Sequence, residues 1–139
     1  MNVASDNKIG TSMGYRYDAD NTVWVKGTYK DNGVAKTPMK VQINESGYVF
    51  EDINTAAEWY MFGVPAVAYE TGAVGWIQIG GPVDDVVTPS LSMTKGHAFG
   101  VLDGAIVDSG VDFGAITHCA IATATSSSSA TQDMWLIAR

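Results

Sequence analysis

His97 and His118 are the two histidines of the chain, so a serine or cysteine nucleophile would have to be activated through one of them. Cys119 directly follows His118 in a strand-like segment, where successive side chains point to opposite faces, so the two cannot form a local nucleophile–base pair. The expected arrangement has Cys119 packed in the core and His118 on the outer face. No Gly-x-Ser-x-Gly elbow occurs. Asp18-Ala19-Asp20-Asn21 begins like a calcium loop, but the sixth position is Val23 instead of Gly and the twelfth is Tyr29 instead of Glu, so a solvated turn is expected. Asp84-Asp85 is a bare acidic pair after Pro82, expected at a turn or edge. Gly80-Gly81-Pro82 lacks the Lys-Ser/Thr and the following helix that a phosphate loop needs. The chemistry-bearing residues therefore predict no catalytic, metal or cofactor site, and the chain reads as non-enzymatic.

Charge narrows the partners. The chain has 15 acidic and 8 basic side chains, a formal net charge of −7. Across residues 41–137 the one permanent cation is Lys95, whereas a groove that neutralises several phosphates needs clustered Lys and Arg. Nucleic acid is thus not expected as a partner. Nor is a membrane, since no apolar run reaches the roughly 18 residues needed to span one. The opening residues are polar and carry no apolar signal core, and the single cysteine allows no internal disulfide, so synthesis and folding in a cytoplasm are expected.

The elements that must position these residues read as strands. Residues 22–27, 39–44, 64–69, 74–80, 115–123 and 134–138 are short, rich in β-branched or aromatic residues, and bounded by Gly, Asn, Asp or Pro. Met39, Val41 and Ile43 alternate with Lys40, Gln42 and Asn44, the period of a half-buried strand. Two hairpins are predicted. One joins residues 64–69 to 74–80 through Glu70-Thr71-Gly72-Ala73; the other joins Val101-Leu102 to Ala105-Ile106-Val107 through Asp103-Gly104, a dipeptide suited to a type I′ turn. Thr55-Ala56-Ala57-Glu58 fits a capping box, and Pro65 limits the helix to one or two turns. Ser126-Ser127-Ser128-Ser129 reads as a polar loop before the last strand. The resulting fold class is all-β: a single small β-sandwich or barrel-like domain with short hairpins over residues 18–139, preceded by an extended N-terminal arm at 1–17.

Aromatic residues are the remaining candidates. Trp24, Trp59, Trp76 and Trp135 could form a sugar-binding platform, but Trp76 and Trp135 lie inside apolar strands and are expected in the core. Trp59, Tyr60 and Phe62 cluster with few charges nearby and are the candidate subunit interface.

The run Phe62-Gly63-Val64-Pro65-Ala66-Val67-Ala68-Tyr69, followed by Thr71-Gly72 and by Gly75-Trp76-Ile77-Gln78-Ile79-Gly80-Gly81-Pro82, resembles small structural proteins of tailed phages. In those a Gly-Val-Pro strand leads into Gly-Trp-Val-Gln-(Val/Ile)-x-Gly. The closing Met134-Trp135-Leu136-Ile137-Ala138-Arg139 is similar to their last strand, and Gly10-Thr11 with Val23-Trp24-Val25 matches more loosely. The likeness covers residues 60–139 well and 1–59 poorly, and His97-Ala98-Phe99 departs from it. It implies a capsid decoration protein (cement or head-stabilisation) or related minor head protein, located on the capsid exterior of the virion. The implied partner is the major capsid protein, with neighbouring capsomers bridged by a homotrimer. The alternative is another virion component, such as a head-fibre base or tail adaptor, and after that a carbohydrate-binding module. On this reading the arm is the anchor. It carries two cations, Lys8 and Arg16, against one acid, Asp6, and an extended segment can complete a partner's sheet edge. Met1, Asn2, Val3, Lys8, Ile9 and Arg16 are the candidate capsid-contacting residues.

Overall fold

Alternating apolar and polar residues, broken by glycines, set the architecture. A computed structural model describes residues 14–17, 20–53, 61–102, 105–110 and 117–137, which form ten strands and, among themselves, no helix. The strands are β1 (Gly14–Tyr17), β2 (Val23–Tyr29), β3 (Met39–Asn44), β4 (Gly47–Asp52), β5 (Met61–Gly63), β6 (Val74–Leu91), β7 (Ala98–Leu102), β8 (Ala105–Gly110), β9 (Thr117–Ala122) and β10 (Ser129–Leu136). The capping box expected at Thr55 to Glu58 lies outside the described residues.

Hydrogen bonding orders the strands β5-β3-β4-β2-β6-β10-β9-β7-β8, with β1 beside β2. The pairs are antiparallel except β2 with β4. This sheet curls into a half-barrel, in agreement with the expected small barrel-like β domain.

The curl is built on β6, which serves both halves of the sheet. Residues 74–80 pair with β2, and residues from Gly81 onward pair with β10. Gly81 adopts φ +88°, and a Cβ there would lie 2.1 Å from the carbonyl oxygen of Asn21, so only glycine lets the two backbones approach. Further on, Asp85 (φ +57°) marks an extra residue opposite the step from Gln132 to Met134. Its N–H donates to Asp133 Oδ1 at 3.0 Å. Such a bulge bends and twists a strand without ending it. The strand expected to stop at Gly80 therefore runs to Leu91, and Asp84-Asp85 sits within it, not at a turn.

Each half of the curl has its own core. One contains Val25, Tyr29, Met39, Val41, Phe50 and Ile77. There the Tyr29 ring stacks on Tyr69 at 4.4 Å and meets Phe50 edge-on at 4.7 Å, while its hydroxyl donates to the Trp76 carbonyl at 2.8 Å. The other gathers Phe62, Val86, Met93, Phe99, Met134 and Leu136. Burying one such side chain contributes about 1.5–3 kcal/mol.

Several expectations change against this frame. Residues 64–69 do not form a strand paired with 74–80: Val64 makes one bridge to Gln78, and Tyr69 makes one to Gly33. Pro65 has no N–H for a ladder, and its carbonyl accepts from the Lys36 N–H at 2.9 Å, which draws the segment toward the loop before β3. In β3, Met39 and Val41 face inward as the alternation predicts, but Ile43 is exposed and Lys40 is 3% exposed. Lys40 lies between Phe62 on β5 and Glu51 on β4, with Nζ 3.5 Å from Glu51 Oε2. The β7–β8 hairpin forms as expected, closing with Leu102 opposite Ala105; Asp103 and Gly104 themselves lie outside the described residues. The last strand starts earlier than expected, at Ser129. Gly14 to Tyr17, read as the end of the arm, pair with Lys26 to Val23, so the sheet already begins at residue 14.

Candidate interaction surface

Of the residues that could do chemistry, His97 and Asp20 make local contacts. His97, just before β7, places Nδ1 3.3 Å from Asp108 Oδ1 on β8, and Asp108 Oδ1 also accepts from the Gly110 N–H at 2.7 Å. The adjacent hydroxyl, Ser109 Oγ, donates to the Ala98 carbonyl at 2.9 Å. Among the described residues no nucleophile is hydrogen-bonded to His97. His118 and Cys119 are consecutive positions of β9, with side chains outside the described set. Asp20 makes a local turn: its Oδ1 accepts from the Thr22 hydroxyl at 2.6 Å and from the Thr22 N–H at 3.2 Å, and the hydroxyl contact holds its carboxyl below the usual range. Among the described residues no group of three His, Cys, Asp or Glu side chains is placed to hold a metal ion. No helix among them is long and apolar enough to cross a membrane.

Charge at the other end of the sheet is largely internal. Glu51 lies between Lys40 and Lys30, 3.5 and 3.6 Å away. Nearby, Asp31 Oδ2 accepts from the Asp52 N–H at 2.9 Å. Partial desolvation, with the Asp31 charge as a second contribution, raises the Asp52 carboxyl above its usual range.

The expected subunit interface is only partly visible. Trp59 and Tyr60 lie outside the described residues. Phe62 is 1% exposed and belongs to the chain's own core, which corrects its assignment to an interface. Its place on β5, opposite Lys40, turns the ring inward. Of the candidate capsid contacts, Met1, Asn2, Val3, Lys8 and Ile9 lie outside the described residues, and Arg16 is a position on β1, opposite Trp24.

The tryptophans expected in the core are not fully buried. Trp76 is half-buried, and Trp135 is 43% exposed. The reason lies in β10: Met134 and Leu136 are both buried, so the residue between them must face outward. Trp135 stands in a cross-strand row with Pro82 on β6 and Ile121 on β9, and Ile121 is 36% exposed. Beside the row runs an open groove of about 500 Å³, lined by Val23, Gly80, Gly81, Trp135 and Ile137 among others. An exposed indole beside aliphatic side chains is the composition found at the centres of protein interfaces. The run Met134-Trp135-Leu136 is apolar throughout, so the sequence did not mark which of the three faces outward.

No family model matches the chain, and no curated protein matches it. Among solved structures, the fold is similar to that of the head fiber gp8.5 N base in bacteriophage phi29. The TM-score is 0.52, covering 84% of this chain and 94% of that chain, at 12% sequence identity. The likeness is one of fold, and it extends over most of both chains.

Proposed function

We propose that this chain is a structural protein of a tailed-phage head, a β domain seated on the capsid exterior that works by binding and not by catalysis. The observation that supports it most is the likeness of fold to a head-fibre base over 84% of the chain, which agrees with the independent resemblance of residues 60–139 to small phage structural proteins. Of the two forms such a protein could take, the likeness favours a fibre base over a decoration protein that bridges capsomers. The major capsid protein is the proposed partner. Contact is proposed to come from the segment before β1, including Lys8, and from the exposed Trp135 face. A homotrimer is proposed for the assembled form, because three linked copies raise the effective concentration of each contact and slow dissociation.

Co-sedimentation with expanded, DNA-free heads of the phage that encodes the chain tests the proposal. Saturable binding supports a head protein; recovery of all the protein in the supernatant overturns it. Heating the loaded heads separates the two forms. A decoration protein raises the temperature at which the shell dissociates, and a fibre base leaves it nearly unchanged.

A further inference from the structure

A second concave site lies where the loop after β5 crosses the start of β2 and the bend of β6. Its volume is about 370 Å³, within the range of roughly 300–1,000 Å³ typical of small-ligand sites. Trp24 and Gln78 stand opposite each other on β2 and β6, and Val64 bridges to Gln78, so the three form one cross-strand row in its wall. Asp20, Lys36 and Asp84 stand at the same cavity.

The polar groups here are built in but not used up. Gln78 is 5% exposed, and its amide N–H groups donate to the carbonyls of Gly80 (3.0 Å) and Pro82 (2.9 Å). No donor among the described residues reaches its Oε1. A buried acceptor without a donor is costly and calls for a partner. Lys36 is half-buried at φ +64°, a conformation that glycine adopts without strain. Its backbone is pinned on both sides, the N–H to Pro65 O (2.9 Å) and the carbonyl from the Val87 N–H (2.8 Å). No carboxylate of the described residues lies within ion-pair distance of its ammonium. Asp84 is exposed and likewise makes no ion pair or side-chain hydrogen bond among them.

We propose that this cavity binds one neutral saccharide unit. A sugar hydroxyl both donates and accepts, so a single ring can donate to Gln78 Oε1 and to the Asp84 and Asp20 carboxylates while accepting from the Lys36 ammonium. Its C–H face matches the half-buried Trp24 indole and the Val64 and Pro65 wall. Two carboxylates against one ammonium disfavour an anionic ligand.

The test is made on the free protein labelled with ¹⁵N, titrated separately with glucose, galactose and N-acetylglucosamine to about 50 mM, with glycerol as control. Saturable shifts are expected at the Trp24 indole N–H and the Lys36 and Asp84 amides, and not at the Trp135 indole N–H, for at least one sugar and not for glycerol. Lys36→Gly relieves the backbone conformation and should keep the melting temperature at or above that of the parent while weakening binding about tenfold or more, the loss of one charge-assisted hydrogen bond. Asp84→Asn, at an exposed position, should weaken it similarly. The proposal is overturned if none of the three sugars shifts the Trp24 indole, if glycerol shifts it equally, or if both variants bind as the parent does.

Discussion

Replacing Gly81 by alanine tests the bend on which the half-barrel depends. Two costs follow from the structure. At φ +88° an alanine occupies a region that L residues rarely adopt, at about 1–2 kcal/mol. Its Cβ would also lie 2.1 Å from Asn21 O and 2.9 Å from Thr22 Cα, both backbone atoms that no rotamer change can move. Relief requires the start of β2 to separate from β6, loosening the pairing of Val23 with Gly80 and one or two hydrogen bonds of about 1 kcal/mol each. Alanine also restricts the unfolded chain, which offsets up to about 1 kcal/mol. The net loss is about 1.5–3.5 kcal/mol. Gly72→Ala is the matched control: φ is +91°, but no atom lies within 4 Å of the added Cβ, so only the conformational cost applies, about 1 kcal/mol after the offset. In urea titrations, with a slope of roughly 1–3 kcal/mol per M, Gly81→Ala should lower the midpoint by about 1–2 M and Gly72→Ala by about 0.5 M, at unchanged slope. Equal losses for the two variants would refute the close approach of β2 and β6 at the bend.

Three further outcomes are expected. Glu51→Gln removes the acid facing the buried Lys40 and should cost roughly 1–3 kcal/mol, whereas Lys30→Ala, at the exposed end of the same trio, should cost under about 1 kcal/mol; thermal unfolding of both variants checks the order. Asp52 has its carboxyl raised, so the folded state holds a proton more tightly than the unfolded one, and its ionisation opposes folding as pH rises through the carboxylate range. Asp52→Asn should therefore be more stable than the parent at neutral pH, with the gain shrinking as pH falls through the raised carboxyl range and absent below about 4, read from melting temperatures across that interval. Trp135→Ala should cost the fold only about 1–2 kcal/mol, less than the roughly 3–5 kcal/mol of Phe99→Ala in the core, yet weaken head binding by about tenfold or more; unchanged binding removes that face from the interface.

Local signals in the chain were legible where packing agreed with them. The alternation in 39–44 places β3 within its observed bounds, and Val101-Leu102 pair with Ala105-Ile106 as the hairpin reading expects. What escaped sequence reading is non-local. Gly80-Gly81-Pro82 has the composition of a strand end, yet Gly81 is there because Asn21 passes close by, a contact 60 positions away in sequence. Val64 to Tyr69 look like a hairpin strand, but Pro65 is drawn to Lys36 and Tyr69 to Gly33, partners that only the folded chain supplies. Lys40 reads as solvent-facing because burial of a lysine depends on Glu51, which a strand-by-strand pattern does not pair with it. The saccharide cradle was hidden for the same reason. Gln78 and Lys36 are unremarkable in sequence, and their significance comes from a buried acceptor and a pinned backbone meeting at one cavity.

The most direct test of the virion assignment is a cryo-electron microscopy reconstruction of purified virions of the encoding phage. The account predicts density on the outer surface of the capsid that is fitted by the half-barrel of β2–β10, with the segment before β1 directed at the major capsid protein. Virions that lack the chain, or that carry it inside the shell, would contradict it.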